Sequence, residues 1–191
     1  MTDREVGPDV VEHSPARRPT FRWGATTHVG GVRNHNEDAF YVSDDVCVVA
    51  DGMGGHEAGE VASQLVTQLI AETFGARPLA VTELPRVVSS LNSAVRQKGA
   101  ENNTQGMGTT VVGVALADNA DAPSAVVFHV GDSRCYRIAH GRMDQLTTDH
   151  SHVQDLVQDG RITEAEARAH PLRNVITRAL GADVVVEADF H

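Results

Sequence analysis

Val46-Cys47-Val48-Val49-Ala50-Asp51-Gly52-Met53-Gly54-Gly55-His56-Glu57-Ala58-Gly59-Glu60 runs from an apolar stretch through a glycine-rich turn into a helical pattern. The unbroken Val46 to Ala50 run predicts a strand buried on both faces and ending at Asp51. From Glu57 to Phe74, apolar Ala58, Val61, Ala62, Leu65, Val66, Leu69, Ile70 and Phe74 recur at steps of three and four, which predicts one buried stripe of a helix. Asp51 therefore stands where a strand gives way to a helix. A carboxylate fixed there, beside glycines that admit backbone carbonyls, suits a hard cation; a tight structural turn would use the same residues. Other chemistries do not fit. No Gly-Lys-Ser/Thr follows for a phosphate loop, Glu57 stands where a dinucleotide fingerprint needs glycine, and Glu60 stands where a zinc-protease helix needs histidine.

On the N-terminal side, Phe21 to Val29 predicts an opening strand and Gly30-Gly31 a turn. Ala39 to Val42, the Ser43-Asp44 turn and the Val46 run predict a hairpin. Its two arms would bring Glu37 and Asp38 toward Asp51, and clustered carboxylates repel one another unless a cation neutralises them. Read alone, Arg33 and the Glu37-Asp38 pair are equally a solvated surface ion pair.

Toward the C-terminus, a second amphipathic helix is expected from about Glu83 to Ala100, with Leu84, Val87, Val88, Leu91, Ala94 and Val95 inward. β-rich pieces follow at Thr109 to Ala117, Ala125 to Val130, Cys135 to Ile138 and Met143 to Leu146. Gly131-Asp132-Ser133-Arg134 forms a turn between two of them. Short helices are expected over His152 to Asp159 and Glu164 to His170, joined at Gly160, and a last strand at Val184 to Val186. Strands, two helices, then strands again is an α+β order with antiparallel sheet, unlike the regular alternation of a doubly wound fold.

The bulk numbers bound the function. The chain has 191 residues, 41% of them hydrophobic, enough for one domain with its own core. A formal charge of −10 without a basic stripe argues against nucleic acid and anionic membrane as partners. Met1 to Pro19 reads as a disordered tail, neither signal peptide nor anchor, and no apolar run is long enough for membrane insertion. The two cysteines, Cys47 and Cys135, sit in apolar runs and read as buried thiols of a reducing, cytoplasmic compartment.

Taken in order, Arg33-x-x-x-Glu37-Asp38-Ala39, Asp51-Gly52-x-Gly54-Gly55, Gly108-Thr109-Thr110 and Gly131-Asp132-Ser133-Arg134 resemble the PPM, or type 2C, protein phosphatases. The resemblance runs from about Phe21 to the C-terminus. Met53 and the compact segment His150 to Pro171 are most similar to the bacterial branch, whose members commonly oppose serine/threonine kinases. The resemblance implies an α-β-β-α sandwich of two antiparallel sheets flanked by helices, over a partial phosphatase domain at residues 20–191. It implies two, and up to three, Mg²⁺ or Mn²⁺ ions and phosphoserine or phosphothreonine proteins as substrates, with a monomer expected. Asp51 would bridge two metals, the Gly52 carbonyl would bind one, Glu37 would hold the second largely through water with Asp38 in support, and Asp132 would bind the additional metal. Arg33 would grip the phosphate, and a flap over about 148–181 would border the site.

Two departures accompany the resemblance. Met53 replaces a histidine that many eukaryotic members carry, so the leaving oxygen needs another acid; His56 and metal-bound water are candidates, and His56 equally reads as a helix cap. The family's later Ser-Asp-Gly and Asp-Asn motifs do not occur before His191. The chain is therefore expected to lack C-terminal strands and metal-binding aspartates. The alternative function is a noncatalytic pseudophosphatase or inactive fragment that binds phosphoproteins or kinases through the Arg33 pocket.

Overall fold

The computed structural model describes residues 19–31, 33–54, 58–76, 79–104, 106–117 and 124–191. The expected tail up to residue 18 and His56 lie outside them.

The hairpin forms as expected. Strand β1 (Asp38–Val42) pairs antiparallel with β2 (Val46–Met53), and the ladder sets Asp38 opposite Asp51. β2 continues two residues past Asp51 to pair with the short β3 (Gly108–Thr109). It is not buried on both faces. Val46, Val48 and Ala50 are within 1% of full burial, whereas Val49 is 46% exposed, because helices cover one side of the sheet. β4 (Val111–Ala117) and β5 (Ser124–Val130) complete the centre, and β8 (Asp189–Phe190) forms the edge, giving the order β1-β2-β4-β5-β8. A second, two-stranded antiparallel sheet joins β6 (Tyr136–Ala139) to β7 (Arg142–Gln145) through His140 and Gly141, both at positive φ as a tight right-twisted hairpin requires.

Helix α1 (Ala58–Ala76) lies against β1 and β2. Ala58, Ala62, Val66, Ile70 and Phe74, four residues apart, form one buried row, and Val61, Leu65 and Leu69 form a second at its margin. A 3₁₀ turn (Val81–Glu83) leads into α2 (Leu84–Glu101), which lies along α1 and buries Leu84, Val88, Leu91 and Val95. From the sheet, Val46, Val48, Ala50, Val111, Phe128 and Val130 close this core. α3 (His152–Gln158) starts at a Ser151 cap and α4 (Glu164–Ala169) at a Thr163–Glu166 capping box. The architecture is α+β and antiparallel, as the element order predicts.

Two expected strands do not form. Phe21 to Val29 is irregular: Phe21 N–H reaches Asp44 O at 2.8 Å, but no described strand lies alongside to build a ladder. Val184 to Val186 is a loop with Val184 and Val185 exposed, because the buried Asn92 amide on α2 donates to the Asp183 and Val184 carbonyls at 3.0 and 3.3 Å. Pairing with β5 moves instead to Asp189 and Phe190. Both cysteines are free and half-buried, and burial raises both thiols, so neither is an activated nucleophile.

Candidate metal centre

Asp51 is held through its backbone. Its N–H donates to Thr110 Oγ1 at 3.0 Å, its carbonyl accepts from Thr110 N–H at 2.9 Å and from Thr109 Oγ1 at 3.0 Å. Both threonines are fully buried. Thr110 Oγ1 also meets Ser133 Oγ at 2.8 Å, which ties Asp51 to the turn after β5 that carries Asp132. The Gly108-Thr109-Thr110 motif thus acts as scaffold, a role that spacing alone does not assign.

Where β2 meets α1, backbones touch. A Cβ on Gly52 would lie 2.0 Å from the Gly59 carbonyl oxygen, and one on Gly59 would lie 2.8 Å from the Gly52 carbonyl carbon. Only glycine at both positions lets the helix start this close to the strand. Gly52 N–H donates to Glu37 O at 3.1 Å and Ser63 Oγ to the same carbonyl at 2.6 Å, so the residue before β1 is fixed by both elements.

The side chains divide into two groups. Asp38 and Asp51 are directly opposed in the β1–β2 register, and Asp132 comes from the Gly131–Arg134 turn. Burial, then repulsion from Asp38 and from Asp132, then a hydrogen bond with Asp38, push the Asp51 carboxyl up to about 6, against the pull of Arg33. Burial also raises Asp132, with Asp149 adding to the effect. Glu37 precedes Asp38 by one residue, so its side chain leaves the strand on the other face, toward Gly59. There its Oε2 accepts from Arg33 Nη1 at 3.2 Å, with Glu37 largely covered and Arg33 75% exposed. Three aspartates therefore share one field, while Arg33 and Glu37 form a pair beside them.

A carboxylate crowded by other acidic groups, as Asp51 is by Asp38 and Asp132, suits a hard divalent cation, which replaces repulsion by attraction. Nitrogen and sulfur donors are absent from this group, which disfavours zinc. Sequence reasoning assigns no individual role to Ser133, Asp149 or His150. Asp149 takes the Arg134 guanidinium through three contacts of 2.6–3.0 Å. A polar cavity lies beside this pair, lined by Arg134, Asp149, Gln154, Arg168 and Arg173, so the segment from Thr148 borders the turn that holds Asp132.

Known proteins share this arrangement of sequence and fold. A family model described as Protein phosphatase 2C matches residues 30–186. The serine/threonine protein phosphatase PstP of Mycobacterium tuberculosis is 42% identical over 163 residues, covering 84% of this chain; the chain spans 31% of that relative's length. The crystal structure of the serine/threonine phosphatase Stp1 from Staphylococcus aureus superposes with a TM-score of 0.78 at 38% identity, over 87% of this chain and 68% of that one. The catalytic domain of PstP in complex with two manganese ions gives 0.71 at 38% identity, over 85% and 68%. With the family model covering most of the ordered elements, the chain belongs to the protein phosphatase 2C family.

Proposed function

We propose that this chain supplies the core of a metal-dependent serine/threonine protein phosphatase, hydrolysing phosphoserine and phosphothreonine on proteins. The observation that carries this reading is the convergence of Asp38, Asp51 and Asp132, with the Asp51 carboxyl raised to about 6 by burial and its acidic neighbours. The two manganese ions in the PstP catalytic domain support the same reading of the donor set. Asp51 and the Gly52 carbonyl would hold the central Mg²⁺ or Mn²⁺ ions of a binuclear centre, with Glu37 and Asp38 alongside and Asp132 at a third position. Such ions, when bound, supply hydroxide near neutral pH and screen the charge of a phosphate monoester. Arg33, exposed and close enough to Asp51 to favour its charged form, offers a guanidinium fork to the phosphate oxygens. Thr109 and Thr110 keep Asp51 in place, and residues of about 148–181 border substrate access. On this reading the enzyme opposes serine/threonine kinases in the cytoplasm and acts as a monomer. Among the described residues no helix is long and apolar enough to cross a membrane.

Two measurements test the proposal. Calorimetric titration of the chain with Mn²⁺ is expected to show binding that Asp51→Asn abolishes. Hydrolysis of para-nitrophenyl phosphate and of a phosphothreonine peptide with Mn²⁺ is expected to fall at least about a hundredfold in the same variant. Equal turnover by both proteins sinks the hydrolase; Mn²⁺ and phosphopeptide binding without turnover in the parent chain selects the noncatalytic reading.

A further inference from the structure

Behind the Gly131–Arg134 turn lies a group of two buried histidines and a partly exposed aspartate with no part in the cation cleft. Donor atoms of His129, His150 and Asp189 lie within 4.8 Å of one another. His129 is fully buried and His150 is 5% exposed, and their rings stack with centroids 4.5 Å apart. Two histidines and a carboxylate suggest a transition-metal site. The hydrogen bonds oppose that reading. Gly131 N–H donates to His150 Nδ1 at 3.0 Å, so this nitrogen is an acceptor and the neutral ring carries its proton on Nε2. That Nε2 lies 3.4 Å from Asp189 Oδ2, an ion-pair distance without hydrogen-bond geometry, and, being protonated, has no lone pair for a metal. Burial, then the neighbouring Arg178, lower the His150 pKa and favour the neutral ring. His129 uses Nε2 toward the Thr148 carbonyl at 2.8 Å, which leaves its Nδ1 and Asp189 as two donors where zinc needs three or four.

The same bonds do something else. Three consecutive residues grip the end of β5 and the turn after it: Thr148 through His129, Asp149 through Arg134, and His150 through Gly131. The Gly131 contact is doubled, since His150 N–H also donates to Gly131 O at 3.0 Å. Gly131 sits at φ 110°, and its Cα faces Thr110 so closely that a Cβ would lie 2.6 Å from Thr110 Cγ2. Its conformation thus fixes the direction in which Asp132 leaves the strand. Asp189 is in turn held by Arg178 Nη1 at 2.9 Å and by its place opposite His129 on β8.

We propose that His150 is the positioning residue of this turn: oriented by Asp189, its ring holds the Gly131 N–H and so aims Asp132 into the cleft shared with Asp38 and Asp51. The inference rests on reading Asp132 as a cation ligand. It extends that reading to groups outside the cleft, where loss of an orienting partner typically weakens a metal site 10- to 100-fold.

The test uses the 191-residue chain. Long-range ¹H–¹⁵N spectra of the imidazoles are expected to show His150 with an unprotonated Nδ1, unchanged by added Zn²⁺; an Nδ1–H tautomer or displacement by Zn²⁺ overturns the inference. His150→Ala is expected to weaken Mn²⁺ binding about tenfold and to speed Gly131 amide exchange, and His150→Asn, whose Oδ1 replaces Nδ1 as acceptor, to recover most of both. In an Asp132→Asn background His150→Ala should cost no further affinity, which a general loss of structure would not reproduce. Wild-type affinity and exchange in His150→Ala, or an undiminished loss in the Asp132→Asn background, overturn the inference. Should His150→Ala fail to fold, Asp189→Asn leaves the ring in place, and an unchanged tautomer population with unchanged Gly131 exchange overturns it. Absence of Mn²⁺ binding in the parent chain fails the cation reading, and the tautomer and exchange measurements still decide whether His150 holds the turn.

Discussion

Asp38 and Asp51 stand directly opposite each other across the β1–β2 ladder, two carboxylates in one register position, and Asp38 opposes the ionisation of Asp51. Like charges so placed are a defect in an ordinary sheet. One proton relieves it, and on the reading proposed above one cation would do the same. With the folded carboxyl at about 6 and an unfolded aspartate near ~3.9, the folded chain binds the extra proton between those values. Without divalent ions, stability should therefore be highest below about pH 4, fall as pH rises toward 6, and stay lower above. Asp51→Asn should flatten this decline and raise the midpoint at pH 7 by about 1–3 °C. Mn²⁺ should stabilise the parent and not the variant. Thermal melts across pH, with chelator and with Mn²⁺, check both.

Gly59→Ala sets helix propensity against sterics. Alanine favours the helix by up to about 1 kcal/mol. Its Cβ would lie 2.8 Å from both the Gly52 carbonyl carbon and Met53 N, backbone atoms that cannot turn aside. Sterics should win, with a net loss of about 1–3 kcal/mol in urea unfolding. A stabilised variant would mean that α1 and β2 are not in contact here.

Arg33→Ala should leave urea stability unchanged within about 0.5 kcal/mol, because its ion pair with Glu37 is mostly exposed on the arginine side. Phosphate or vanadate binding should weaken about tenfold or more if the guanidinium engages the phosphoryl oxygens. Calorimetry with orthovanadate reads the second quantity independently of turnover.

Asn92 is 2% exposed, donates to the Asp183 and Val184 carbonyls and accepts Gly181 N–H at 2.8 Å. Asn92→Ala strands the part-buried Gly181 N–H and should cost about 1–3 kcal/mol. Asn92→Asp should cost more, since a carboxylate would face two carbonyl oxygens it cannot satisfy. Urea denaturation of the two variants gives the order.

Much of this was legible in the chain because local rules carry it. The four-residue spacing from Ala58 to Phe74 reports the buried row of α1, and the Ser43-Asp44 turn fixes the register that sets Asp38 against Asp51. Strand burial was misread at Val49, since an apolar run cannot say whether one or both faces will be covered. Val184 to Val186 has strand composition, yet a single buried amide 90-odd positions earlier captures its carbonyls, a partner no window of sequence contains. The same holds for His150: its neighbours along the chain say nothing of Gly131 or Asp189, which reach it through tertiary structure.

The close approach of Gly52 and Gly59 couples two events. Helix and strand touch at the residue following Asp51, so the core cannot close without also drawing the acidic residues together. On the cation reading proposed above, the part of the seat formed by Asp38, Asp51 and Asp132 is set by the core, so little binding energy would be diverted into rearranging these strands. Selection among ions of different radius would then rest on fixed strand positions rather than on a loop that closes around whichever ion arrives.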